Sequence, residues 1–278
     1  MKKRIVLCAD DYGQAPSISQ GIIQLLQKNR LSAASCMVNT AYWAEHASWL
    51  RPFINQVDIG LHVNLTEGQA LSSAWIECYG KNLLPLRHLL GRAVFHRLDK
   101  AVIAAECHAQ IDHFVERLGI LPTFMDGHQH AHQFPVIRQA FIQVYEERLK
   151  PKSAYVRLAK ESIKLSDKDK VKKAIICATG ARAFQRLLNQ HNITYNHSFA
   201  GIYAFSSNEN YRELFSLFLQ KINDCGLIMC HPGLAAASIS SPDPIAKTRW
   251  QEYQYFASDA FLQDCVANNV VISRFSIV

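Results

Sequence analysis

Four short stretches combine histidine and aspartate in patterns that could do metal or proton chemistry. The densest is Asp126-Gly127-His128-Gln129-His130-Ala131-His132, with three of the chain's twelve histidines inside five residues. Neutral imidazole is the commonest metal ligand and titrates near pH 7, so clustering it serves ion binding or proton transfer. Cys8-Ala9-Asp10-Asp11-Tyr12-Gly13 sets two carboxylates side by side. Like charges so close cost free energy unless a cation or hydrogen-bond donors neutralise them. The plainer reading is a turn in which one aspartate caps a helix. In Asp58-Ile59-Gly60-Leu61-His62-Val63-Asn64, His62 stands near the end of an alternating segment, where a lone histidine is more often packed core than ligand. Ile228-Met229-Cys230-His231-Pro232-Gly233 passes from an apolar run into a turn.

Each cluster follows an apolar run of strand length: Ile5–Ala9, Val57–Val63, Thr123–Met125 and Gly226–Cys230. Further strands are expected at Ala33–Val38, Tyr155–Leu158 and Val270–Phe275. Helical patterns lie between them at Ser17–Lys28 (Ser17 as N-cap), Tyr42–Leu50, 99–118, Pro135–Arg148, 167–190, 210–222 and Trp250–Asn268. Strand–helix alternation of this kind needs parallel neighbours joined by crossovers, which predicts an α/β fold, a single-domain irregular (β/α) barrel over 1–278. In such a barrel the C-terminal strand ends open on one face, so the four clusters converge. Residues 64–98 break the rhythm with weak periodicity and scattered glycines, and read as a lid or substrate wall.

An aspartate with two histidines leaves positions open on an ion, as catalytic centres do. Nitrogen donors with one carboxylate suit Zn²⁺ and its first-row neighbours better than Ca²⁺. Such an ion acidifies a water and polarises a carbonyl. The second carboxylate of the pair is then free to take a proton, and a histidine from another strand to deliver one to a leaving group. On an extended segment His128, His130 and His132 share a face; on a helical turn only His128 and His132 do. Asp126 is a candidate acceptor that orients an imidazole.

The rest of the composition narrows the class. Hydrophobic residues make up 49% and charged residues 19% of the 278, which argues for a folded globular chain. The formal net charge is +7, part of it in Arg157, Lys160, Lys164, Lys168, Lys170, Lys172 and Lys173, whose spacing reads as a solvated helical face. No nucleic-acid module accompanies it. The eight cysteines form no C-x-x-C, and Cys8, Cys36 and Cys230 sit in apolar strand-like runs as reduced thiols. The apolar run after Met-Lys-Lys-Arg is too short for a signal peptide, and no segment is long enough to span a bilayer. These features predict a cytoplasmic protein.

Taken together, Ala9-Asp10-Asp11-Tyr12-Gly13, Gly60-Leu61-His62-Val63-Asn64-Leu65-Thr66, the 126–132 segment and His231-Pro232-Gly233 resemble the YdjC-type carbohydrate deacetylases, a family that includes the chitooligosaccharide deacetylases. The resemblance runs from residue 4 to about 235. It implies a barrel of the glycoside hydrolase/deacetylase type with one divalent metal held by Asp11, His62 and His128. The family is credited with Mg²⁺, whereas the ligand chemistry favours Zn²⁺. By analogy with the wider polysaccharide deacetylases, Asp10 is the implied general base and His231 the general acid. Asp126, His130, His132 and Asn64 then line the substrate pocket or support the ligands. Tyr12 stands where many members have Phe.

The resemblance implies removal of an N-acetyl group from a small amino-sugar substrate, a chitobiose-like sugar or a glycolipid such as a hopanoid intermediate, with a homodimer as the oligomeric expectation. A metal-dependent phosphoesterase is the rival enzyme class; it needs cations near the clusters, and no Arg or Lys adjoins them in sequence. A glycosidase is disfavoured because adjacent aspartates cannot straddle a glycosidic bond. A catalytically dead sugar-binding protein would need only one of the two aspartates.

Overall fold

The computed structural model describes residues 2–160, 180–206, 210–235 and 243–275. Its strands are β1 (Lys3–Tyr12), β2 (Ala33–Cys36), β3 (Asp58–Val63), β4 (Phe124–Gly127), β5 (Tyr155–Val156), β6 (Ser198–Ala200), β7 (Gly226–Cys230) and β8 (Val270–Ile272). They pair in the order β5-β4-β3-β2-β1-β7-β6, every pair parallel, with β8 beside the first residues of β1. The sheet curls until its two edges meet. There Val156 bridges Tyr195, and its N–H donates to the Thr194 carbonyl at 2.9 Å. The Asn196 amide completes the seam, accepting from the Leu158 N–H at 2.8 Å and donating to its carbonyl at 3.1 Å. The expected α/β, irregular (β/α) barrel is the observed architecture.

Alternation along each strand divides the side chains between two layers. Ile5, Leu7 and Ala9 of β1 face the surrounding helices, as do Ile59, Leu61 and Val63 of β3 and Ile228 and Cys230 of β7. Val6, Cys8, Ala33, Phe124, Phe199 and Leu227 fill the barrel interior instead. Carrying the inward count on by twos gives Asp10 after Cys8, Ser35 after Ala33, Asp126 after Phe124 and His231 after Met229. The interior is thus apolar at its floor and polar at its mouth. Cys8, Cys36 and Cys230 are buried as expected.

The helices are α1 (Pro16–Gln27), α2 (Trp43–Leu50), α3 (Ser73–Tyr79), α4 (Leu86–Val94), α5 (Lys100–Leu118), α6 (Ile137–Arg148), α7 (Ala181–Gln190), α8 (Tyr211–Lys221), α9 (Ala246–Ala257) and α10 (Asp259–Ala267). Ser17 does not cap α1. Pro16 opens the helix, where its missing N–H costs nothing, and Ala15 occupies the cap position. The single helix expected over Trp250–Asn268 is two, broken at the extended Ser258. Residues 64–98 are not an irregular loop: they carry α3, capped by Ser72 Oγ accepting from the Trp75 N–H at 3.2 Å, and α4. Gly80, Pro85 and Gly91 interrupt the pattern of both. The strand β6 has three residues and gave no pattern. The start of the helix expected from 167, and Lys164, Lys168, Lys170, Lys172 and Lys173, lie outside the described residues. Among the described residues, no helix is long and apolar enough to cross a membrane.

Candidate active site

The polar mouth of the barrel opens into a cavity of about 420 Å³ lined by Asp10, Asp11, His62, His128, His130 and His231, among others. Two neighbours in a regular strand face opposite sides, so Asp10 and Asp11 need a local departure to share a cavity. The register of β1 against β2 shifts between Ala9 and Tyr12, and Asp11 takes a left-handed φ of 67°. That bulge turns the second carboxylate back toward the first.

The two carboxylates then find different partners. Asp11 Oδ1 lies 3.0 Å from His128 Nδ1 and 3.5 Å from His62 Nε2, while its Oδ2 accepts from Arg249 at 2.7 Å. Both oxygens of Asp10 are held by Arg157, whose Nη1 donates to Oδ2 at 2.6 Å and Nη2 to Oδ1 at 2.5 Å. Arg157 also reaches Asp126 Oδ2 at 2.6 Å. Asp126 is the β-register partner of His62, and its Oδ1 lies 2.6 Å from His62 Nδ1. Ser35 Oγ donates to the same oxygen at 2.7 Å. This pairing fixes His62 with Nε2 toward Asp11, the carboxylate–histidine arrangement that orients metal ligands.

Asp11, His62 and His128 are all buried and present donor atoms within 4.8 Å of one another, so they could hold a metal ion. Asp10, His62 and Asp126 satisfy the same distance. That second set fits poorly, because Arg157 already neutralises both carboxylates and His62 Nδ1 is engaged with Asp126. One carboxylate oxygen and two imidazole nitrogens around Asp11 Oδ1 make a chemically coherent donor set for a divalent ion.

Electrostatics separates the histidines. Burial works against charge on His62, but Asp126 and Asp10 outweigh it and raise its pKa to about 10. For His128, burial is again overcome, by Asp11 and Glu67, and the pKa rises to about 8. Burial prevails at His231 and His132, both lowered to about 4, and at His130, pushed well below its usual range. Asp10 and Asp11 are held below the carboxylate range: burial opposes ionisation, but Arg157 overcomes it at Asp10 and Arg249 and His128 at Asp11.

The turn after β4 sorts the histidine cluster. Gln129 and His130 adopt left-handed φ values of 54° and 57°, which fits neither the extended nor the helical alternative. His128 reaches Asp11, and His130 lines the cavity edge-on to Phe199. His132 folds back against Gly127, where a Cβ would meet its Nδ1 at 2.8 Å. It does not line the cavity: its Nε2 lies 3.0 Å from the Arg157 carbonyl and its ring packs on Phe141 and Phe184. Asn64 does not line it either. Its side chain accepts from the Thr66 and Glu67 N–H groups and shapes the turn that presents Glu67. Glu67 Oε1 stands 3.1 Å from His128 Nε2.

Glu67, Arg157, Arg249 and Glu252 escaped the sequence reading. Arg157 belongs by spacing to the basic run that reads as a solvated face, yet it is 0% exposed. Counting by twos along β5 from Tyr155 would have placed it inward. The absence of cations near the clusters is likewise corrected, since Arg157 and Arg249 sit among them. Both are paired with carboxylates: Arg157 with Asp10 and Asp126, and Arg249 with Asp11 and Asp243. Glu252, one turn beyond Arg249 on α9, is wholly buried, accepts from the Tyr203 hydroxyl and receives the His231 backbone N–H.

The chain is 36% identical over 153 residues to a carbohydrate deacetylase of Danio rerio, covering 52% of this chain and 47% of that one. A chitooligosaccharide deacetylase of Proteus mirabilis is 29% identical over 151 residues, 54% of this chain and 58% of its own. The match thus spans about half the length of these relatives. A carbohydrate deacetylase of Clostridium beijerinckii is 25% identical over 280 residues and 98% of both chains. Among solved structures, an Enterococcus faecalis V583 protein proposed to cleave cellobiose phosphate superimposes with a TM-score of 0.74 at 16% identity, covering 100% of this chain and 99% of its own, a likeness of fold. The model of the family described as YdjC-like protein matches residues 4–267, and the chain belongs to that family.

Proposed function

We propose that the protein is a metal-dependent hydrolase that removes the N-acetyl group of an amino sugar. The observation that carries this reading is the division of labour between adjacent carboxylates: Asp11 faces two imidazoles, while Asp10 is clamped by Arg157 beside His231. Asp11, His62 and His128 would hold a divalent ion, which supplies polarisation of the acetyl carbonyl and acidification of a water. Two nitrogens and one oxygen suit Zn²⁺ by donor type, and Mg²⁺ is the alternative from the resemblance. Asp10, ionised at neutral pH, takes a proton from the attacking water. His231 Nε2 lies 4.0 Å from Asp10 Oδ2, too far for a direct hydrogen bond, so the proton would reach His231, and from there the departing amine, through one water. A His231 lowered to about 4 starts neutral, ready to receive it.

The relatives named carbohydrate deacetylase and chitooligosaccharide deacetylase support an N-acetylated sugar as substrate. Leu86, Leu90, Phe134, Phe205 and Ile245 make much of the cavity wall apolar, with 64–98 contributing the two leucines as substrate wall. Those walls favour an amino sugar that carries an apolar group over a bare chitooligosaccharide. The described cysteines are free thiols, in keeping with a reducing compartment such as the cytoplasm. The test is acetate release from N-acetylated sugars and glycolipids by protein of measured metal content. Asp10→Asn should keep its metal and lose roughly 10²–10⁴-fold in turnover. Normal turnover in that variant would remove Asp10 as base, and sugar affinity without acetate release would make this a binding protein.

A further inference from the structure

The helix that lends its leucines to the cavity has an unusual outer face. Leu89 and Ala93 of α4 are fully buried, and Leu86 and Leu90 line the cavity. At 100° per residue, Arg87, His88 and Arg92 fall on the opposite side, all exposed, with Phe95 projected into their midst. Phe95 is 72% exposed and Val94 51%. The Arg97 guanidinium lies 5.8 Å from the centre of the Phe95 ring. Arg87, His88, Arg92, Phe95 and Arg97 border one shallow groove. From residue 78 to 98 the chain carries Lys81, Arg87, Arg92 and Arg97 and not one aspartate or glutamate.

Phe95 thus carries one guanidinium over its ring and shares its groove with two further arginines, of which Arg92 lies over Tyr79. It suits the boundary of an anionic bilayer, where the ring enters the acyl region and guanidinium groups stay at the phosphates. A nucleic acid would engage the arginines but leave Phe95 and Val94 in solvent. We propose that α4 and residues 94–98 seat the protein on an anionic membrane surface. Leu86 and Leu90, on the other side of the same helix, form part of the cavity wall behind the docking face. An amphiphilic amino sugar could enter with its apolar part against those walls; that last step rests on the deacetylase reading, whereas the docking does not.

The test is cosedimentation with vesicles of phosphatidylcholine mixed with phosphatidylglycerol, and with phosphatidylcholine alone. Binding should require the anionic lipid. Arg92→Ala and Arg97→Ala should each weaken it about fivefold, the equivalent of about 1 kcal/mol per cation near the surface. Phe95→Asp should abolish it while leaving thermal unfolding and hydrolysis of a soluble N-acetylated sugar unchanged. Failure of the unaltered protein to sediment, or undiminished binding by Phe95→Asp, overturns the proposal. So does preference for a duplex oligonucleotide that Phe95→Asp retains. Vesicle binding without deacetylation would keep the docking and remove the deacetylase reading; deacetylation without binding would do the reverse.

Discussion

Arg157 makes Asp10 a weaker base than a free carboxylate, and that weakness suits a group that must release the proton it takes. Because Asp10 stays ionised far into acid, it should not set the acid limb of activity. His62 and His128, raised to about 10 and about 8, hold protons at neutral pH that an incoming ion must displace. Apparent metal affinity should therefore fall about tenfold for each unit by which pH is lowered, per proton released, read by titration calorimetry in buffers of different ionisation enthalpy. The acid limb of turnover should accordingly move to lower pH as metal concentration rises. A limb that ignores the metal would mean that another group controls it. At this scale the sequence was a good guide to ligand types and a poor one to their partners. Asp10, Asp11, His62 and His128 announce themselves by following apolar runs. Arg157 and Glu67 do not, since each gains its role from a residue far away in the chain.

The element that ties the site together is α9, which the sequence showed only as a long amphipathic stretch. Arg249 and Glu252, three residues apart on one face, hold Asp11 and the His231 backbone. Glu252 is raised from 4.5 to about 7, chiefly by burial, which the Tyr203 hydroxyl and the His231 N–H only partly offset. Between those values the folded state keeps a proton that the unfolded chain has lost. Its contribution to stability is present below about pH 4.5 and declines as pH rises through about 7, by up to about 3 kcal/mol. Glu252→Gln should flatten that decline, so the variant's melting temperature should gain on the parent's between pH 5 and 8. Parallel melting curves across that range would mean that Glu252 ionises normally. The strands, by contrast, were legible because alternation and β-branched content mark them. The helices α3 and α4 were not, because Gly80, Pro85 and Gly91 punctuate that stretch and make two short helices read as loop.

Across the whole molecule the site draws on β1, β3, β4, the segment after β5, β7 and α9, so its geometry depends on the barrel staying closed. Closure is uneven. Most neighbouring strands share several ladder bonds, whereas β5 and the chain before β6 meet through the Val156–Tyr195 bridge and the Asn196 amide. Arg157 sits on that thin seam, between Val156 and Leu158. The seam is the place where the fold should breathe. In hydrogen–deuterium exchange, the amides of Val156 and Leu158 should exchange through a small local opening, long before those of Val6 and Leu7 in β1. Asn196→Ala should speed them further without lowering protection in β1; equal protection on both sides would mean that the barrel opens only as a whole. Each such opening would loosen the guanidinium from Asp10, coupling the tempo of backbone fluctuation to how often the base is correctly held.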